Sequence, residues 1–248
     1  MNYQELQHYL QHGDLSAARN WLDQNPNTQD PMYNYYVALV AEQPSIEKWK
    51  TAIAFLDAYP GSSAMIQAYQ SIIKLLNDGE AHDKERIWLK RLLELTKDKI
   101  HPMHYLELQS QYANRLLLDG YEPEATILLE EILEQAILHK SHLIIIAQGI
   151  ILTSLWMKKG RFMEAASLAV SIEESAKERH NWLALACGSM IRATCWRTQG
   201  MIPQSIGLLM ETGNFLYERG AVAALNLIRA RLTEFRVQMA DDWEVLTQ

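Results

Sequence analysis

Three histidine pairs stand at spacings that suit a shared metal ion on one helix face: His8 and His12, His101 and His104, and His139 and His142. Imidazoles three or four residues apart share one side of a helix, and zinc takes them when further ligands join. No cysteine accompanies any pair and no HExxH pattern occurs, so all three read as polar residues at helix ends. Two acidic runs, Glu130, Glu131 and Glu134, then Glu173, Glu174 and Glu178, hold the paired carboxylates that acid–base catalysis uses. That chemistry needs a shielded cleft and a shifted pKa. Both runs are expected on the solvent side of amphipathic helices, which assigns them no catalytic role. A glycine-rich phosphate loop and a GxSxG elbow are both missing. The seven tryptophans fall mostly at apolar helical positions and read as packing. Cys187 and Cys195 are the only cysteines. On one helix they lie roughly 12 Å apart along the axis, too far for a disulfide, which suits a reducing cytoplasm. The expectation is a chain with no enzyme activity, no cofactor and no metal.

The elements that must carry any function come from a repeat. Gly120-Tyr121-Glu122-Pro123-Glu124-Ala125 is followed forty residues later by Gly160-Arg161-Phe162-Met163-Glu164-Ala165, and forty later again by Gly200-Met201-Ile202-Pro203-Gln204-Ser205. Eight residues after each glycine stands a leucine: Leu128, Leu168, Leu208. Four before stand Leu116, Trp156 and Trp196, and seven before stand Ala113, Thr153 and Ala193. Small and large residues at fixed offsets are what closely packed helices require. Apolar spacing after Gly160, in Phe162, Ala165, Ala169, Ile172 and Ala176, is helical. Ser141 stands where a helix running to about Lys158 would take an N-cap. Each glycine is expected to end helix A in a left-handed turn, with Pro123 and Pro203 in the first turn of helix B.

This order, small residue, large apolar residue, Gly-x-x-x-x-Ala, resembles the tetratricopeptide repeat (TPR) superfamily. Ala113, Leu116, Gly120 and Ala125 carry the resemblance, as do Thr153, Trp156, Gly160 and Ala165, and Ala193, Trp196, Gly200 and Ser205. The unit is 40 residues against the family's usual length of about 34, which is similar to the long-helix variants of bacterial regulators and peptide receptors. The resemblance implies an all-α, right-handed superhelix of about six helix pairs with a C-terminal capping helix.

Upstream the pattern is weaker. Tyr9, Gly13, Asp14 and Ala18 repeat the order, and Pro44-Ser45 and Asn77-Asp78-Gly79 supply the next two turns, with Lys84 in the alanine position. Tyr59-Pro60-Gly61 ends the second pair. A final helix from Ala221 to about Ala240 presents Arg229, Arg231, Glu234, Arg236, Gln238 and Asp241 as a polar outer face. The chain is expected to form one domain over 1–248, with short degenerate repeats over 1–100 and regular 40-residue repeats over 101–248. Among 248 residues 48% are hydrophobic and 21% charged, which excludes disorder. A net charge of −7 argues against nucleic acid, and the basic cluster Lys84, Arg86, Lys90 and Arg91 reads as a solvated face. The apolar stretch from Leu143 to Met157 is too short to span a bilayer, and the N-terminus lacks the order of a signal peptide.

The resemblance also implies that A helices line a concave groove. Its positions are Glu107, Ser110, Asn114, Leu117 and Leu118; Ala147, Ile150, Ser154, Met157 and Lys158; and Cys187, Met190, Thr194, Arg197 and Thr198. Mixed apolar, hydroxyl and cationic residues suit an extended peptide or a partner helix. Arg197 is expected either to pair with a partner carboxylate or to serve the C-terminal end of its own helix. Two functions follow: a non-catalytic scaffold, adaptor or chaperone, or the ligand- or peptide-sensing domain of a bacterial regulator. A homodimer through a terminal helix is an arrangement that this reading allows.

Overall fold

In a computed structural model, residues 3–43, 45–56 and 62–238 are described, apart from the side chain of Phe55. Pro44, the Tyr59-Pro60-Gly61 stop, Ala240 and Asp241 of the expected polar face lie outside the described residues. The described residues form thirteen α-helices and no strand, and they divide into two compact units, Met1–Tyr121 and Glu122–Gln248.

The first unit holds α1 (Gln4–Gln11), α2 (Leu15–Gln24), α3 (Pro31–Leu39), α4 (Ile46–Leu56), α5 (Ser63–Asp78), α6 (His82–Thr96) and α7 (Pro102–Leu118). Local chemistry sets several starts. Asp14 accepts from the Ala17 amide at 2.9 Å, Asp30 from the Met32 amide at 2.9 Å, and Ser62 from the Met65 amide at 3.3 Å. The core is aromatic, with Tyr33, Tyr35, Tyr36, Trp49 and Tyr69 all buried beside Leu6, Leu22 and Ile72.

The second unit holds α8 (Glu122–Leu138), α9 (His142–Lys158), α10 (Phe162–Glu178), α11 (Trp182–Thr198), α12 (Ile202–Glu218) and α13 (Val222–Gln238). Every one has 17 residues, and the starts are 20 residues apart. The 40-residue repeat is thus two equal halves. A left-handed residue closes each half: glycine and another residue alternate through Gly120, Lys140, Gly160, His180 and Gly200, and glycine stands again at Gly220. The next amide always reaches back five residues, as Arg161 to the Trp156 carbonyl at 2.9 Å and Asn181 to the Ala176 carbonyl at 2.8 Å. This closure satisfies carbonyls that the helix end would otherwise leave open.

Three expectations need correction. Ser141 precedes α9 but its hydroxyl makes no cap bond. At the third turn the left-handed residue is Glu80 and not Gly79, so the register shifts by one. Glu85, and not Lys84, then takes the place of Ala125, and it is buried. In α13, two residues of the expected outer face also reach back to α11: half-buried Arg231 donates to Thr194 at 2.6 Å, and exposed Gln238 accepts from Arg197. The small and aromatic positions Gly149/Ser189 and Trp156/Trp196 become Arg229 and Arg236 in α13, both exposed, which suits a cap.

Candidate functional site

Helices α9 and α11 carry the positions expected to line the groove in the second unit. Helical geometry puts residues three, four and seven apart on one face, and the 40-residue interval brings equivalent positions to successive helices. Ala147, Ser154, Lys158 and Thr198 are exposed, while Ile150, Met157, Cys187, Met190, Thr194 and Arg197 are half-buried. None is closed to solvent, although Thr153, Leu155, Ala193 and Cys195 between them are buried.

The hydroxyls of the strip are turned onto their own helices. Ser154 donates to the Ile150 carbonyl at 2.9 Å, Thr194 to Met190 at 2.7 Å and Thr198 to Thr194 at 2.9 Å. They can therefore accept from a ligand but not donate to it. Arg197 stands in the last turn of α11. Its guanidinium lies 4.7 Å from the Phe235 ring centroid and donates to Gln238. Arg231 covers the same buried ring at 5.0 Å and pairs with Glu234 at 2.6 Å. Cations against a desolvated aromatic face tie α11 to α13. Lys158 has no ion-pair partner among the described residues, which leaves it as the cation of the strip open to an acidic group.

In the first unit the expected positions separate. Ser110 is buried and donates to the Leu106 carbonyl at 2.8 Å. Asn114 is half-buried, and its Oδ1 is buried without a partner. Leu117 is half-buried and Leu118 is 76% exposed. Glu107 is exposed and lines a cavity of about 280 Å³ with Ile66 and Gln70 of α5 and His104 and Gln111 of α7. In the sequence His104 is a metal candidate and nothing more. Its place beside Glu107 follows from a spacing of three on α7, a signal that has no partner until α5 is in position.

The acidic runs also sort differently. Glu173 is buried and pairs with Arg192 of α11 at 2.9 Å. Burial pushes its carboxyl above the ordinary range, while the Arg192 guanidinium and the Ser189 hydroxyl pull the other way. Glu130 is half-buried, accepting from Trp156 at 2.8 Å and Arg161 at 2.7 Å. The solvent-side expectation fails for both because their partners stand 19 to 31 residues away on other elements. The basic cluster changes likewise: Arg86 is bound to Asp119 at 3.1 Å and lies over Tyr121 at 4.3 Å. Burial raises both cysteine thiols. Among the described residues no three His, Cys, Asp or Glu side chains stand close enough to hold a metal ion, and no helix is long and apolar enough to cross a membrane.

No family profile and no curated protein matches the sequence. Solved structures do. A putative kinesin light chain from Podosopora anserina with nearly identical TPR-like repeats superposes with a TM-score of 0.50, at 13% identity over 94% of each chain. A form of the same protein carrying one glutamine-to-methionine substitution gives a TM-score of 0.52, at 14% identity over 89% of this chain and 99% of that one. The architecture of this chain is therefore that of the TPR-like helical repeats, in agreement with the motif carried by Gly120, Gly160 and Gly200.

Proposed function

We propose that the chain is a non-catalytic interaction module, a scaffold, adaptor or chaperone, which takes an extended peptide or a partner helix along the A-helix strip of the second unit. The observation that carries this reading is the partial accessibility of Ile150, Met157 and Met190 on the same strip as Lys158, which has no ion-pair partner among the described residues, in a helix array whose neighbouring positions are buried. Methionine supplies adaptable apolar contact, and the lysine favours an acidic residue in the ligand. Glu107, Ser110 and Asn114 belong to the first unit; of these, Glu107 is placed to contribute through its own cavity. That cavity favours the second reading, in which a ligand or peptide is sensed, because convergent polar groups line it. The long repeat keeps the likeness to bacterial regulators, and two reduced cysteines suit a cytoplasmic setting.

A displayed library of random twelve-residue peptides, selected on the immobilised full chain, tests the proposal. Selection should enrich acidic sequences with apolar residues at helical or alternate spacing. Lys158→Glu and Ser154→Glu, both at exposed positions, should each weaken the selected peptides tenfold or more without shifting the melting temperature. Peptides that bind both variants as tightly as the wild type would remove the strip from consideration.

A further inference from the structure

The repeats of the second unit act as controls for one another. Where α8 carries Leu133 and α12 carries Gly213, α10 carries Glu173. Where α9 and α13 carry Leu152 and Leu232, α11 carries Arg192. Ser189 stands in the place of Gly149, and Thr212 in the place of Ile132 and Ile172. Four polar residues thus occupy one site that the other repeats fill with apolar or small residues, apart from the exposed Arg229 of the terminal helix.

The four meet across three helices. Arg192 pairs with Glu173 Oε2 at 2.9 Å, and Thr212 donates to Ser189 Oγ at 3.1 Å. Glu173, Ser189 and Thr212 are 5%, 1% and 8% exposed. A glycine makes the approach of α10 and α11 possible: a Cβ on Gly188 would stand 2.9 Å from the Glu173 Cγ. Together they enclose a cavity of about 90 Å³, with Phe215 as an apolar wall and Lys177 and Glu211 completing its lining. Two buried polar atoms have no hydrogen-bond partner, the acceptor Glu173 Oε1 and the donor Arg192 Nε. Ser189 accepts from Thr212, and its own proton, which faces the Glu173 carboxyl, can be shared with a ligand bound there. Buried polar atoms in native proteins are satisfied by protein, water or ligand.

We propose that this cavity binds a small zwitterion, an α-amino acid no larger than serine, with its ammonium on Glu173 Oε1 and its carboxylate on Arg192 Nε and the Ser189 hydroxyl. An unmet acceptor beside an unmet donor suits a ligand that carries both functions. The lining charges, Glu173 and Glu211 against Arg192 and Lys177, balance, so a ligand of separated but net-zero charge matches them better than an anion or a cation. Size sets the limit. One water needs roughly 10–15 Å³ of such space, so the cavity has room for about six to nine non-hydrogen atoms. The site is separate from the A-helix strip, and its failure would leave that reading untouched.

Calorimetry and thermal unfolding of the full chain with glycine, L-alanine and L-serine test the proposal, with acetate, methylammonium, acetamide and L-phenylalanine as controls. At least one small amino acid should bind once per chain and raise the melting temperature saturably, with no effect from the four controls. Thr212→Ile, which restores the residue of α8 and α10, should keep the fold and weaken that binding at least tenfold. The double variant Glu173→Leu/Arg192→Leu removes both charges together and should fold and fail to bind. No binding by any of the three amino acids would show a cavity filled by water and overturn the proposal. Equal binding of acetamide, or undiminished binding by Thr212→Ile, would overturn it as well.

Discussion

The two units solve the same packing problem with different materials. In the first, helices of 8 to 17 residues surround bulky aromatic side chains, and each phenol needs its own partner. Tyr33 donates to the Leu22 carbonyl at 3.4 Å, Tyr36 accepts from Gln7 at 3.2 Å, and Tyr35 donates to Gln67. In the second, six helices of equal length approach through Ala125, Ala136, Ala165, Ala169, Ala176, Ala193 and Ser205, all fully buried. Small residues let backbones come equally close at every repeat, so the spacing repeats. Aromatic rings differ in orientation at each contact, so it does not. Regular sequence period therefore follows from small-residue packing, and a helical array built on tyrosine and tryptophan hides its own repeat.

The contrast can be broken most severely in the first unit. Arg115 is buried between Asp119, Glu85 at 3.4 Å and His82 at 2.9 Å. Replacing it by methionine takes the guanidinium from buried Glu85 and leaves Asp119 with Arg86 alone, and removing one partner of a buried pair in this way costs about 3–5 kcal/mol. Hydrogen exchange of the full chain should show the loss in α6 and α7. Unchanged protection there would mean that the aromatic core alone holds these helices.

Ala165→Trp strikes the second unit where only a small side chain fits. Ala165 is fully buried against Cys195, Trp156 and Phe162. Overpacking of this kind costs roughly 1–3 kcal/mol, read as a lower denaturant midpoint. A midpoint equal to that of the wild type would show that small residues do not set the helix spacing.

The smallest effect concerns Glu173, whose folded-state pKa is raised by burial. For a carboxyl raised on folding, the folded chain holds its proton over a pH range in which the unfolded chain has lost it. The stability contribution is thus fully present below the unfolded pKa, about 4.3, and is lost as pH rises through the folded pKa. Wild type should therefore lose stability relative to Glu173→Gln across that window, measured as the difference in midpoint between pH 4 and pH 7. A constant difference would indicate that Arg192 fully offsets the burial.

Much of this architecture can be read from residue order because its determinants are local. Gly120, Gly160 and Gly200 mark left-handed turns with φ of 83°, 75° and 81°, and glycine is preferred there for lack of a Cβ. Helix type and the period of 40 follow from apolar and small residues at fixed offsets. The halving of that period stays hidden because Lys140 and His180 take the same left-handed turn, at φ of 52° and 51°, without glycine to announce it. Glu80 conceals the third turn in the same way, with φ of 56°. Tertiary structure alone decided which charged residues are engaged by other helices and which stay open. Arg197 and Lys158 are both cations at neighbouring strip positions near the end of an A helix, yet Phe235 and Gln238, about forty residues downstream of Arg197, engage one and nothing among the described residues engages the other. Glu173 reads as solvent-facing until Arg192 and Gly188 arrive from the next helix. Turn geometry depends on a few consecutive residues, but the protonation, burial and pairing of a side chain depend on whatever the fold brings beside it.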